Sequence, residues 1–193
     1  MPIDTLIDQR AEACRALDAP VVLKGCSRDI PHKSEAGLVS LNVPDPTAEF
    51  HRLRRRIGEL GAWFDGVIVA RRAPRGRELA LGARLDAQFG PVVMVGDGGV
   101  YLEALKDFRL LLPPFGEQDV VDKLGELRIA PLLRGVRGEP ARDVAAFARM
   151  AVRLGDAMLE WQGRVGAVDV NPVAVFETGA LALDALAESI IFE

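Results

Sequence analysis

The stretch from Pro20 to Val43, PVVLKGCSRDIPHKSEAGLVSLNV, most constrains the fold of this chain. A short apolar run that reaches Lys24 is rich in β-branched residues and is bounded by proline and glycine, which predicts a buried strand. A polar loop that carries His32 follows, and a second apolar run begins at Gly37. The pattern therefore predicts two strands whose connecting loop offers a cation and an imidazole to a ligand.

Composition narrows the class of protein. The 193 residues are 49% hydrophobic and 27% charged, which is typical of a globular chain that forms one large domain or two small lobes. No apolar run approaches the roughly 20 residues that cross a bilayer, and the N-terminus MPIDTLIDQR lacks the apolar region of a signal peptide. The net charge of -4 argues against a nucleic-acid partner. We expect a cytoplasmic protein with two free thiols, Cys14 and Cys26, and with no nucleic-acid or membrane partner.

Residues 1–72 are predicted to form a first α+β lobe. Asp45-Pro46 is a typical helix start, an N-cap followed by proline at the first helical position, and apolar residues follow at helical spacing. The predicted elements are a helix at 5–18, strands at 20–25, 37–43 and 65–72, and a helix at 46–60.

Residues 73–193 are predicted to form a second lobe after a turn at Ala73–Gly76. A long helix opens at Asp143, because apolar residues then recur every three or four positions as far as Trp161. We expect the two lobes to make one α/β domain with a ligand cleft between them. The predicted elements are strands at 77–84 and 91–95, a glycine loop at 96–99 with a mixed segment to about 116, helices at 117–126 and from 143, and closing strands at 166–170 and 180–184.

Lys24 and His32 are candidates for contact with phosphate. An ammonium group at the end of a strand offers a compact positive charge, and a neutral imidazole can accept a phosphoryl group covalently. Taken alone, Lys24 equally fits a lysine that extends to water, and His32 fits a solvated loop histidine. The other histidine, His51, lies within an arginine-rich run on the 46–60 helix, which we interpret as a solvated helix face.

Oxygen donors in the second lobe are candidates for a metal site. Asp169 and Asn171 lie two apart on a predicted strand and so face the same way, and Asp184 could join them from the paired strand of a hairpin. Such donors suit Mg²⁺, although Asn-Pro and Asp are also common in turns. Glu78 could bond a ribose or lie near a metal, or it could be an ordinary exposed glutamate. The loop VGDGG can cradle an anion, but it is neither GxGxxG nor a Walker A motif.

Taken together, these stretches resemble the ATP-grasp domain of ADP-forming (NDP-forming) acyl-CoA synthetases, relatives of the succinyl-CoA synthetase β subunit. The resemblance runs from about residue 8 to 188. It is carried by the opening segment, by GVIVARRAPRGRELALGARLDAQFGPVVMVGDGGVYLEALKD, by LLRGVRGEPARD and by VDVNPVAVFETGALALDAL, in the order and spacing of that family.

The resemblance implies an ATP-grasp fold with a nucleotide cleft between two lobes. It also implies an acid–thiol ligase that converts acyl-CoA, ADP and phosphate reversibly to acid, CoA and ATP, with Mg²⁺ as cofactor and histidine as phosphoryl carrier. By motif, Lys24 resembles the lysine on the nucleotide phosphates, and Glu78 resembles the nucleotide-binding glutamate. His32 resembles a second phosphoryl carrier. The adenine hinge corresponds to Val69, Ala70 and Ala73, and the Mg²⁺ ligands correspond to Asn171 and Asp184.

The sequence departs from that family in what surrounds this region. It begins late, and it has neither the CoA-binding domain nor the domain with the principal phosphohistidine. We therefore expect a subunit of an oligomer, or an excised domain, that needs an α-type partner. A non-catalytic regulatory or scaffolding module, as in fusions to protein acetyltransferases, is the alternative. A fragment that folds but binds nothing is a third. Retention of all the candidate residues favours the enzyme, whereas the acyl substrate and the choice of ADP or GDP stay open.

Overall fold

The computed structural model describes residues 20–41, 43–99 and 106–190. The chain divides into two compact units, Met1–Ala73 and Pro74–Glu193. The predicted helix at 5–18 and Cys14 lie outside the described residues. None of the helices in the described ranges has the length and apolar character that crossing a membrane requires.

The first unit is a three-stranded antiparallel sheet with one helix packed on it. Strand β1 lies in the centre and pairs with β2 and β3. The elements are β1 (Val21–Cys26), β2 (Val39–Ser40), helix α1 (Pro46–Glu59) and β3 (Gly66–Arg71).

Helix α1 begins where the sequence predicts. The Asp45 carboxylate accepts hydrogen bonds from the amides of Thr47 at 2.9 Å and Ala48 at 3.1 Å, and Pro46 occupies the first turn. Apolar residues spaced by three and four then face the sheet, which explains why this stretch folds as an amphipathic helix. The buried core consists of Val21, Leu23, Leu38, Leu53 and Ile57.

The predicted strand at 37–43 is wrong in length, since β2 contains only Val39 and Ser40. A turn occupies the preceding residues: the Gly37 amide donates to the Ser34 carbonyl at 3.1 Å, and the Leu38 amide donates to Lys33 at 2.8 Å. Gly37 has a φ of 71°, which glycine adopts without steric cost. The local turn bonds therefore outcompete strand pairing for these residues.

The second unit is a six-stranded antiparallel sheet covered by helices. The strand order is β6-β5-β4-β7-β8, and β9 also pairs with β7. Strand β6 and helix α3 have no counterpart among the predicted elements. The elements are β4 (Arg77–Asp86), β5 (Gly90–Asp97), β6 (Phe108–Leu111), α2 (Glu117–Gly125), α3 (Ala130–Leu133), α4 (Val144–Glu160), β7 (Val165–Val175), β8 (Ala180–Ala182) and β9 (Leu186–Ser189).

The core of the second unit lies between one face of this sheet and helices α2 and α4. Alternate residues of each central strand point to that face, which is the period-two pattern of a sheet covered on one side. The largest fully buried members are Phe147, Leu79, Leu81, Leu124, Met158, Val93, Val95, Val120 and Val173. The mixture of helices and antiparallel sheets confirms the predicted fold class.

The closing strands differ from the prediction. Strand β7 runs from Val165 to Val175, well beyond the predicted 166–170. The predicted strand at 180–184 ends at Ala182, and pairing resumes at Leu186 in a strand that the prediction omitted. The predicted hairpin forms between β7 and β8, but Asp184 lies in the break between β8 and β9 and not on its second strand, which corrects the predicted bounds of that strand.

Asp143 joins helix α4 to the turn between β7 and β8. Its carboxylate accepts hydrogen bonds from the amide of Gly179 at 2.8 Å and from that of Ala146 at 2.9 Å. Its own amide donates to the Phe176 carbonyl at 2.8 Å. The bond from Gly179, followed by that from Ala146, lowers the pKa of Asp143, because both stabilise the charged form.

The lowered pKa of Asp143 predicts an acid-sensitive contribution to stability. The contribution should be complete above the ordinary aspartate pKa of about 3.9, and it should be lost as pH falls through the lowered folded-state pKa. We expect Asp143→Asn to lower the free energy of unfolding by about 1 kcal/mol at pH 7, because the Gly179 amide then meets a donor or loses its charged acceptor. Urea denaturation between pH 7 and pH 3 measures the difference from wild type, which should shrink with acidification.

The control is Asp156→Asn, an exposed change on the same helix that should leave stability within about 0.5 kcal/mol of wild type. A difference between wild type and Asp143→Asn that stays constant down to pH 3 would contradict the assignment.

Candidate functional site

The second unit carries three of the predicted site residues, and two of them, Glu78 and Asn171, lie beside one glycine turn. Glu78 is exposed on β4, and Asn171 is half-buried on β7. Asp184 is half-buried in the break between β8 and β9. The turn Gly98-Gly99 follows β5 and lies against both β4 and Asn171.

Gly98 brings the main chain after β5 into contact with β4. Its amide donates to the Glu78 carbonyl at 3.2 Å and to the Asp97 carboxylate at 3.1 Å. A Cβ at this position would overlap the main chain of Leu79. Glycine is therefore required here for close approach, which is the physical content of the glycine-rich sequence.

Gly99 places Glu78 and Asn171 at the same point. Its amide donates to Asn171 Oδ1 at 3.3 Å, and its φ of 70° lies in the left-handed region. A Cβ on Gly99 would overlap the Glu78 carboxylate. The side chains of Glu78 and Asn171 thus approach one glycine from two different strands.

Asn171 lies at a β-bulge. Leu79 pairs with Val173 and Leu81 with Val170, so that two residues of β7, Asn171 and Pro172, face one residue of β4. The peptide bond between Asn171 and Pro172 is cis. Bulges re-aim side chains and are common beside active sites, so the position of Asn171 is consistent with a functional role.

Asp184 lies opposite Asn171 on the other side of β7. Val173 pairs with Ala182 and Asp169 pairs with Leu186, and the Leu183 amide donates to the Pro172 carbonyl at 2.9 Å. One step back along β7 corresponds to one step forward along the partner segment both before and after the break. Continuing this pairing through the break places Asp184 across from Asn171. Asp184 is therefore the neighbour of Asn171 across the chain pair, at the point where β8 has ended and β9 has not begun.

The resulting set consists of oxygen donors on one unit of the structure. Asn171 and Asp184 supply an amide oxygen and a carboxylate, and Glu78 supplies a second carboxylate. In the part of the chain that the structure describes, no group of three or more His, Cys, Asp or Glu side chains could hold a metal ion. A set of one or two protein oxygens suits Mg²⁺, which completes its octahedron with water and phosphate oxygens.

The first unit carries the remaining predicted residues. Lys24 pairs with Val39 and Ile68, and Val22 pairs with Ala70, so Lys24 and Ala70 share a face of the small sheet. The side chain of Val69 packs against the hydrophobic core of the first unit, so its main chain is the part that can contact a ligand. Ala73 is half-buried at the end of the unit.

His32 is exposed at the start of the turn that spans residues 33–37. Its carbonyl accepts a hydrogen bond from the Ala36 amide at 3.4 Å. Helix α1 holds the far end of the turn, because Arg56 Nε donates to the Ala36 carbonyl at 3.2 Å and the Arg52 guanidinium donates to Gly37 at 3.4 Å.

These contacts correct the interpretation of the arginine run as a solvated face. Arg52 also donates to Glu49 at 2.7 Å and to the Ser40 hydroxyl at 3.0 Å, and both Arg52 and Arg56 are half-buried. Arg54 and Arg55 are exposed, as predicted. The signal that distinguishes them is the helical period, which puts positions 49, 52 and 56 on one side of α1.

Comparison with known proteins gives a consistent family. The family model described as "ATP-grasp domain" matches residues 5–188. The chain is 39% identical over 183 residues to a trans-feruloyl-CoA synthase from an unknown prokaryotic organism, covering 91% of this chain and 26% of that protein. It is 36% identical over 171 residues to the β subunit of ADP-forming acetate–CoA ligase I from Pyrococcus furiosus, covering 86% of this chain and 73% of the subunit. The chain thus spans about a quarter of the first relative and most of the second.

Two solved structures that this chain resembles, like the similar sequences, are of enzymes that form CoA thioesters. The dinucleotide-forming acetyl-coenzyme A synthetase 1 of Ca. Korarchaeum cryptofilum, in complex with coenzyme A, Ca-AMPCP and HgCl⁺, superimposes with a TM-score of 0.89 at 30% identity. The match covers 95% of this chain and 82% of that one. The same protein with coenzyme A and Mg-AMPPCP, its phosphohistidine segment pointing towards the nucleotide binding site, matches with a TM-score of 0.79 at 32% identity, covering 95% of this chain and 83% of that one.

Gly99→Ala should turn the Glu78 side chain away from position 99 and should destabilise the second unit only modestly. The left-handed φ makes alanine unfavourable by about 1–2 kcal/mol, but the overlap is with the flexible end of a glutamate, which can rotate away. A crystal structure of the variant should show the Glu78 carboxylate turned from the glycine, and urea denaturation should give the stability.

Gly90→Ala is the matched control, because Gly90 has a φ of 72° and nothing within 4 Å of its would-be Cβ. The two variants should lose similar stability, while Glu78 should stay in place in Gly90→Ala. An unmoved Glu78 in Gly99→Ala would contradict the close approach.

Proposed function

The chain belongs to the ATP-grasp domain family, and from this premise we propose that it is the nucleotide- and magnesium-binding phosphotransfer part of an ADP-forming acyl-CoA synthetase. The proposed overall reaction converts acyl-CoA, ADP and phosphate reversibly to acid, CoA and ATP. A CoA-binding and phosphohistidine-bearing domain or α-type subunit supplies the remaining steps. The relatives are synthetases and ligases of acyl-CoA, and the similarity to a separate β subunit supports an arrangement in which a partner chain assembles with this one.

The observation that carries the proposal is the meeting of Glu78 and Asn171 at Gly99, with Asp184 across from Asn171 by the register of β7. The Gly99 amide holds Asn171 Oδ1 at 3.3 Å, which fixes the direction of the amide oxygen and leaves it a second lone pair. Asp184 lies opposite through the register of β7. This donor set fits Mg²⁺, and we propose Asn171 and Asp184 as its protein ligands.

The protein residues provide charge and position for phosphoryl transfer. A bound Mg²⁺ would neutralise charge on the nucleotide phosphates and hold them in line. We assign Lys24 to the same phosphates as a compact positive charge. Glu78 is assigned to the nucleotide, and Ala70 and Ala73, with the main chain of Val69, are assigned to the base. Positioning and neutralisation account for most of the catalysis of such transfers, so this set is sufficient for the nucleotide half of the reaction.

His32 is proposed as a phosphoryl carrier. Its imidazole nitrogen would attack the phosphorus of a phosphohistidine on the partner, forming one P–N bond as the other breaks. A terminal β-phosphate oxygen of ADP would then attack the same phosphorus, releasing the neutral imidazole and yielding ATP. Exposure of His32 on a turn supports access to a donor on another chain.

We place the reaction in the cytoplasm. Among the described residues Cys26 is a free cysteine, and a free thiol is usual in a reducing compartment.

Calorimetry of Mg-ATP and Mg-ADP binding tests the site. We expect Asn171→Ala and Asp184→Ala to weaken magnesium-dependent binding roughly tenfold or more, because each removes an oxygen ligand. Lys24→Ala should weaken binding of both nucleotides with or without magnesium.

Asn171→Asp is the first control, since it keeps an oxygen at the same position and should retain magnesium dependence. Glu188→Ala, an exposed change on β9, is the second and should bind as wild type does. If wild type binds nucleotide and both alanine variants bind equally well, the metal assignment is wrong.

His32→Ala tests the carrier with a cognate phosphohistidine domain added. We expect transfer of labelled phosphate to ADP to be lost, while the affinity for Mg-nucleotide stays within about twofold of wild type, because the imidazole acts only in transfer. His51→Ala, which changes the other histidine, should transfer at the wild-type rate. Full turnover in His32→Ala would remove this residue from the mechanism.

A further inference from the structure

An ion pair with a buried carboxylate and a half-buried guanidinium lies beside the candidate site but contributes no atom to it. Arg77 Nη2 donates to Asp97 Oδ1, and the Asp97 side chain is only 3% exposed. Arg77 immediately precedes Glu78 on β4, and Asp97 immediately precedes the Gly98-Gly99 turn. The pair therefore links the two chain segments that meet at the site.

The ion pair and the site occupy opposite faces of the sheet. Leu79 pairs with Asp97, and alternate residues of a strand point to the same face, so Arg77 shares the face of the buried core residue Leu79. Glu78 points to the other face. The ion pair is thus screened from a ligand on the Glu78 side by the sheet itself.

Asp97 acts directly on the glycine turn. Its Oδ1 accepts the Gly98 amide at 3.1 Å in addition to the Arg77 guanidinium. The same amide also donates to the Glu78 carbonyl at 3.2 Å. The next amide, that of Gly99, donates to Asn171 Oδ1. The Asp97 carboxylate, together with the Glu78 carbonyl, therefore orients the peptide that leads into the contact with Asn171.

Arg77 in turn depends on Asp97. Its Nε is buried and has no hydrogen-bond partner in the described part of the structure. The free-energy cost of burying this Nε without a partner is offset by the charged hydrogen bond to the Asp97 carboxylate. Asp97 therefore holds the Arg77 side chain and, with it, the start of β4.

We propose that Arg77 and Asp97 are positioning residues for nucleotide binding, a role that rests on the function proposed above. The pair fixes the Gly98-Gly99 turn so that the Gly99 amide meets Asn171 and the Glu78 carboxylate lies beside the glycine. Its effect on ligands is indirect, through Asn171 and Glu78.

A purely structural role makes a different prediction. Replacing a buried ion pair by apolar residues of similar size is often neutral or stabilising, because the desolvation of both charges is avoided. The double variant Arg77→Leu/Asp97→Leu removes both charges together and also removes the side-chain acceptor of the Gly98 amide, which keeps the Glu78 carbonyl. If the pair only holds the fold together, the affinity for Mg-ATP should fall only in a variant whose thermal stability also falls. If it positions the turn, binding should fall while stability is kept.

The test compares wild type, the double variant and Asp97→Asn, which keeps a side-chain oxygen for Gly98. Thermal unfolding gives stability, hydrogen exchange of the Gly98 and Gly99 amides by NMR reports on the turn, and calorimetry gives the affinity for Mg-ATP. We expect the double variant to unfold within a few degrees of wild type, to exchange both amides faster, and to bind Mg-ATP roughly tenfold more weakly. Asp97→Asn should recover most of the affinity.

Wild-type exchange and affinity in a folded double variant would overturn the inference. Should that variant fail to fold, Arg77→Met decides, since weaker Mg-ATP binding by its folded form supports positioning and unchanged binding overturns it. Failure of wild type to bind Mg-ATP would instead refute the proposed function. In that case amide exchange still shows whether the pair orders the turn.

Discussion

The candidate site depends on how closely the main chain after β5 approaches β4 and β7. Gly98 meets the main chain of Leu79 where a side chain could not fit, and Gly99 meets both Glu78 and Asn171. These contacts join the neighbouring strands β4 and β5 to β7, which is far from both in sequence. Without them, Glu78 and Asn171 would be exposed polar residues with no common ligand. The convergence of the two side chains is a consequence of backbone packing, and the absence of two Cβ atoms makes it possible.

The remaining parts of the second unit hold these strands in register. The Asp143 carboxylate bonds the amides of Ala146 and Gly179, and so connects the start of α4 to the turn between β7 and β8. That turn determines where β8 runs along β7 and, two residues beyond β8, where Asp184 lies. On the face of the sheet that the helices cover, the Arg77–Asp97 ion pair connects β4 to the end of β5. Hydrophobic packing stabilises the sheet, while these polar contacts specify its register.

Local sequence patterns predicted much of this structure. The cap at Asp45-Pro46, the helix opened by Asp143 and the central strands all follow from periodicity and turn chemistry, which are properties of neighbouring residues. The patterns failed where distant partners decide the outcome. The β2 strand is short because turn bonds occupy its first residues, and Arg52 and Arg56 bond a loop rather than water. The break at Asp184 and the ion pair of Arg77 with Asp97 depend on pairings that a single local window does not contain. The glycine-rich sequence predicted that its main chain packs closely against another group, but it did not identify that group.

The placement of Asn171 on β7, with Asp184 across from it in the break between β8 and β9, has a consequence for how this protein can vary. A strand pair alternates its two faces at every residue, so a shift of one position carries a side chain from one face to the other. Deleting or inserting a single residue in the connection from Phe176 to Gly179 would move Asp184 out of line with Asn171, while the apolar alternation of β7 against β4 stayed intact. Through length changes in this short connection, related proteins can therefore keep the fold and lose the alignment of the Asn171 and Asp184 side-chain oxygens.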